Sequence, residues 1–153
     1  QEALLADAAC ASQDDGDPIS TMLVHDASLG DEALERGCVD LVISGHLHSQ
    51  VGPDPVEGAD GEVGYRYING TTGGAAYAIA LGSKIRRDAQ VTLITYRDGR
   101  PVGLQAVDVI TTGRFQVQPY VDLTWSDQTS SLDVPTGSDA DAAVRPGRVP
   151  ATP

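Results

Sequence analysis

Two short apolar runs, each ending in a histidine, constrain this chain more than any other feature. Thr21-Met22-Leu23-Val24 leads into His25-Asp26, and Val39-Asp40-Leu41-Val42-Ile43-Ser44-Gly45 leads into His46-Leu47-His48. Neither run alternates apolar with polar residues, the pattern of a strand whose sheet is covered on both faces. Between them Asp31 to Arg36 reads as a short helix ending at Gly37, a residue suited to the position just past a helix C-terminus. Strand, helix and strand make a βαβ unit, so the two strands run parallel. Their carboxyl ends then lie side by side, where open α/β sheets collect ligands. The chain has three histidines, and all three fall in this stretch. Imidazole is the commonest metal-ligating side chain, and three of three at strand ends point to a metal site. Gly45 lets the backbone turn tightly before His46, and in extended chain His46 and His48 point to the same side.

Residues 2–12 read as a helix with an apolar stripe of Leu4, Leu5, Ala8 and Ala9, broken by Asp14-Asp15-Gly16-Asp17-Pro18. That acidic turn lacks the spacing and closing Glu of a calcium loop. The two apolar runs predict strands over 20–25 and 39–44. Gly, Pro and acids from Ser49 to Gly61 predict a loop, Tyr65 to Ile68 a strand, and Asn69 to Gly74 a glycine-rich bend. Asn69-Gly70-Thr71 is formally a glycosylation sequon, a three-residue match of little weight. Residues 90–97 and 101–110 predict two strands around Asp98-Gly99-Arg100, with Asp-Gly as the turn signal. Phe115 to Leu123 predicts one more extended segment. Beyond Trp125 large apolar residues almost vanish, which divides the chain into a folded part, 1–125, and a disordered tail, 126–153.

Composition narrows the function. With 22 acidic and 10 basic residues the net charge is −12, which argues against binding a nucleic-acid backbone. The only basic cluster, Lys84, Arg86 and Arg87, reads as a solvated loop. The longest nearly apolar stretch, Ala75 to Leu81, is too short to span a bilayer. Cys10 and Cys38 are too few for a disulfide scaffold. They could bridge if their two helices cover the same sheet face; two buried thiols acting as small hydrophobes is the equal alternative, and the sequence leaves the two open.

Ser44-Gly45-His46-Leu47-His48 resembles the G-H-x-H signature of the calcineurin-like metallophosphoesterases, and Leu23-Val24-His25-Asp26 is similar to the histidine motif that precedes it. The resemblance covers roughly residues 1–123. Within it, Asn69 to Lys84 resembles large bacterial members whose N-terminal part carries transmembrane helices, which would put this part on the extracytoplasmic side of a membrane. The resemblance implies an α/β fold, half of a four-layer α/β/β/α sandwich. It also implies a centre of two divalent metal ions (Mn, Fe or Zn), with His25 and His46 on one ion and His48 on the other. Its substrate would be a phosphate mono- or diester. The family's D-x-H, G-D-x-x-D and G-N-H-[DE] motifs are absent, and no Gly-Asn pair occurs. The chain therefore resembles the C-terminal part of such a domain, with no catalytic residue of its own, inactive without the missing N-terminal half. A different class of function, a non-catalytic three-histidine module binding one Zn, uses the same residues. A third reading, a serine hydrolase built on Ser44 and His25, is poor for lack of a G-x-S-x-G elbow.

Overall fold

The computed structural model describes residues 1–72, 88–110 and 112–123. The expected tail 126–153, the apolar run 75–81, the basic cluster of Lys84, Arg86 and Arg87, and the end of the glycine-rich bend lie outside the described residues. Within them the chain is mixed α/β, with two sheets and few helices.

Helix α1 (Glu2–Asp14) opens the chain. Of the expected stripe Ala9 is buried and Leu5 half-buried, but Leu4 (71%) and Ala8 are exposed, and Ala6 is buried in their place. Two small residues three apart let α1 approach its neighbours closely, which a leucine stripe would prevent. Strand β1 (Thr21–Leu23) is followed by a 3-10 helix (Ala27–Gly30), helix α2 (Asp31–Glu35) and strand β2 (Leu41–Ser44). β1 and β2 are parallel, with Thr21 opposite Leu41 and Leu23 opposite Ile43. The βαβ unit is therefore present. Gly37, at φ 74°, ends α2 as expected: the Gly37 N–H donates to Leu34 and the Cys38 N–H to Ala33, the paired bonds of a Schellman turn.

The loop expected from Ser49 to Gly61 is instead half strand. β3 (Val51–Glu57) pairs antiparallel with β4 (Val63–Ile68), which is parallel to β2 on its other side. The sheet order β1-β2-β4-β3 makes β3 an edge strand. An edge tolerates Pro53 and Pro55, because a missing N–H can face the unpaired side. Prolines and acids therefore disguised a strand as a loop.

The second sheet is antiparallel. β5 (Ala89–Arg97) and β6 (Arg100–Val109) form a hairpin whose two-residue turn, Asp98-Gly99, has φ 51° and 83°. Positive φ at both positions is what an Asp-Gly turn of this kind requires. The segment expected over 115–123 appears as two short strands, β7 (Phe115–Val117) and β8 (Val121–Asp122), both paired with β6.

Two apolar cores hold the elements together. One gathers Ala6, Ala9, Ala33, Leu34, Cys38 and Val42, with Met22 and Val24 against them, and joins the helices to one face of the first sheet. The other gathers Leu41, Tyr65, Tyr67, Leu104 and Leu123, with Ile43 and Ile94, where the second sheet meets the opposite face. The alternation of Leu41 and Ile43 against Val42 is the strand period dividing one apolar run between two cores. Cys10 and Cys38 form a disulfide that ties α1 to the turn after α2. Both helices do cover the same sheet face, the condition under which the pair can bridge. No helix among the described residues is long and apolar enough to cross a membrane.

Candidate metal centre

Parallel pairing brings three strand ends into a row. Leu23 is opposite Ile43, and Ser44 is opposite Ile68, so β1 delivers His25, β2 delivers Gly45 and His46, and β4 delivers Asn69 to the same end of the sheet. The Val24 N–H donates to Ile43 and the Asn69 N–H to Ser44, which carries the pairing past the formal strand ends.

His25 and His46 meet there. Nε2 of His25 lies 2.8 Å from Nδ1 of His46, with the ring centroids 4.7 Å apart and the planes at 69°. A bond this short between two ring nitrogens needs one to donate and the other to accept, so a proton lies between them. Both rings are exposed. Asp26 follows His25, and its carboxylate accepts from the N–H and the hydroxyl of Ser28. Those two bonds hold the Asp26 carboxyl below the ordinary Asp value, and attraction to the His46 and His25 rings adds to the effect.

His48 is placed differently from expectation. Residues 45–48 are not extended: the His48 N–H reaches back to the Gly45 carbonyl at 3.3 Å, closing a turn, and His48 adopts φ 54°. His46 and His48 therefore do not follow the same-side rule of a strand. The turn begins at Gly45, directly after β2 ends at Ser44, which is one residue earlier than an i, i+2 pair would need. A non-glycine residue in the left-handed region is uncommon and worth notice at a strand end.

Two polar features beside the pair had no sequence signal. Ser44, the last residue of β2, is 2% exposed, and its Oγ has no hydrogen-bond partner among the described residues. Across the sheets, Tyr67 Oη, Thr92 Oγ1 and Asn69 Oδ1 form a chain with links of 2.8 and 2.7 Å. Thr92 donates to Asn69, so the Tyr67 hydroxyl donates to Thr92. Burial raises the Tyr67 phenol above its ordinary value, the bond to Thr92 lowers it, and the charge of Asp108 raises it further. These residues lie on strands of different sheets, 23 to 25 positions apart, which no local motif could reveal.

A cavity of about 280 Å³ opens at this same end, between Leu23, Ile43 and Tyr67 of the first sheet and Thr92 and Ile94 of the second. A larger one, about 360 Å³, lies at the opposite end against Ser20, Val39, Asp40 and Arg100. The smaller is the better candidate, because it borders the residues that carry the histidines and lies at the carboxyl ends of the parallel strands.

The histidine pair suits part of the shell of one metal ion. Two imidazole nitrogens on a tetrahedral ion, each bonded at about 2.0–2.1 Å, stand about 3.3 Å apart, a small opening from the observed 2.8 Å. Among the described residues, however, no group of three or more His, Cys, Asp or Glu side chains is arranged to hold a metal ion. The described part of the chain does not complete a dinuclear site, and no catalytic step is assigned to it. No protein-family model matches the chain, and no curated protein matches it significantly.

Proposed function

We propose that the chain supplies part of the metal centre of a phosphoesterase that hydrolyses a phosphate mono- or diester. The observation that carries the reading is the approach of His25 and His46 to 2.8 Å at the carboxyl ends of adjacent parallel strands. Two strand-end histidines brought side by side support the resemblance to calcineurin-like metallophosphoesterases, which assigns both to one ion. On this reading His25 and His46 hold one divalent ion and His48 the second, the ions being Mn, Fe or Zn. Two such ions, once bound, supply a nucleophilic hydroxide and charge stabilisation for in-line displacement at phosphorus. The bridging carboxylate and the acid-base histidine come from an N-terminal half bearing D-x-H, G-D-x-x-D and G-N-H-[DE]. The helices and the two facing sheets described here then belong to half of a four-layer α/β/β/α sandwich.

Reading the coding sequence upstream of Gln1 is the first test, and those three motifs are expected in frame. The longer polypeptide is expected to hydrolyse bis(4-nitrophenyl) phosphate with Mn added and to lose that activity on His46→Ala. Residues 1–153 alone are expected to be inactive. Absence of the motifs, together with stoichiometric binding of a single Zn by residues 1–153, would replace this reading with a non-catalytic metal-binding module. Robust hydrolysis by residues 1–153 would show that the site is complete without them.

A further inference from the structure

The cavity between the sheets has walls of a particular kind. Leu23, Ile43, Ile94 and the Tyr67 ring give it apolar sides, and no charged residue lines it among the described residues. Its polar side chains are largely satisfied within the protein. Tyr67 donates to Thr92, Thr92 donates to Asn69, and the Asn69 amide donates to the carbonyls of Gly70 and Gln90. An apolar group entering the cavity therefore breaks no hydrogen bond of Tyr67, Thr92 or Asn69, and the one unpaired side chain of the described lining is the Ser44 hydroxyl, while an ion would find no counter-charge among the described lining residues. Leu23 stands at the mouth with 79% of its surface exposed, an apolar residue placed where a ligand would cover it.

Size and position narrow the occupant. A dry apolar cavity of about 150 Å³ is enough to bind benzene, and this one measures about 280 Å³. It is too small for a dinucleotide or a peptide and large enough for one ring with a short substituent. The Tyr67 ring, 2% exposed and fixed through its hydroxyl, closes the floor of the cavity and presents an aromatic edge to an occupant. Leu23 is two residues before His25, and Gly45, also in the lining, is one before His46, so a group held here adjoins the imidazole pair. We infer that the cavity between the sheets receives a single uncharged aryl ring, the organic part of an aryl phosphate ester whose phosphate lies at the histidines. The ester in this inference rests on the phosphoesterase reading. The ring site does not.

The test is titration of 4-methylphenol into the metal-free chain, followed by ligand-observed NMR and calorimetry, with inorganic phosphate as a second probe. Saturable binding of the phenol is expected in about the millimolar range, consistent with a ligand of so few atoms. Leu23→Asp places a charge at the mouth on an exposed side chain, so the fold is kept while binding weakens about tenfold or more. Ile94→Phe fills the cavity and is expected to act in the same direction. No saturable binding of the phenol, or binding unchanged by both substitutions in folded protein, would overturn the ring site. A parallel Mn titration separates the two readings. Phenol binding without Mn binding would keep the ring site and count against the phosphoesterase, while Mn binding without phenol binding would remove the ring site alone.

Discussion

Helix α1 depends on its disulfide more than on its packing. It buries only Ala6 and Ala9 completely, two of the smallest side chains, while Leu4 is 71% exposed. Its one described ion pair outside the helix, Asp7 with Arg36 at 2.8 Å, joins side chains that are 68% and 39% exposed, and pairs so exposed contribute little. The Cys10–Cys38 bridge closes a loop over a sequence separation of 28. Chain-entropy arithmetic for a loop of that length gives about 3.5 kcal/mol of stabilisation, through restriction of the unfolded chain. For a folded unit of this size that amounts to a fall of about 15 °C in melting temperature on Cys10→Ala/Cys38→Ala. Thermal melts of the wild type and the double variant test the magnitude, with reduction of the wild type as a check. Native-state hydrogen exchange tests the mechanism: amides of residues 5–14 should lose protection in the variant before those of β2 and β4. A double variant within about 1 kcal/mol of wild type, or one whose α1 amides stay as protected as the core strands, would refute this account, since a loop of this length is expected to contribute several-fold more.

Three further outcomes follow from the described contacts. Thr92→Val breaks the chain from Tyr67 to Asn69 and should destabilise by about 1–3 kcal/mol in denaturant titration, whereas Ser44→Ala removes a buried unpaired hydroxyl and should be neutral or stabilising. Asp26 has its pKa lowered in the folded state, so its stabilisation is complete above the ordinary Asp value near 3.9 and is lost as pH falls through the folded value; melts from about pH 6 to about pH 2 should fall less steeply for Asp26→Asn. Phe115, Val117 and Leu93 leave 73%, 60% and 58% of their surface exposed on the second sheet, so light scattering should show association at high concentration that Phe115→Lys shifts to higher concentration.

Much of the fold was legible because its signals are local. The βαβ unit follows from two non-alternating apolar runs around a helix closed by Gly37, and Asp98-Gly99 marks its hairpin by turn chemistry alone. Signals that depend on neighbours were not legible. β3 carries two prolines in seven residues and exists because β4 offers it a partner at the sheet edge. The face by which α1 packs was legible only in part for the same reason. Ala9 is buried as expected, but Leu4 is more hydrophobic than Ala6 and yet exposed, because a helix drawn close by a disulfide needs small residues at its contact.

The candidate site divides along the same line. His25 and His46 could be paired from sequence because parallel strands of matched register must end together, and each residue lies just past its strand. The His46–His48 relation could not, because it assumed that the strand continues through Gly45. The pairing of β2 with β4 extends only as far as the bond from the Asn69 N–H to the Ser44 carbonyl, and one residue later the turn begins. A histidine at φ 54° carries its ring in a direction set by that turn and not by the pleat. The same release at Gly45 leaves the imidazole pair outside the sheet while the cavity between the sheets keeps its apolar walls. An imidazole rim beside a largely apolar pocket is the arrangement the proposed ester would need, one part for its charged group and one for its uncharged ring.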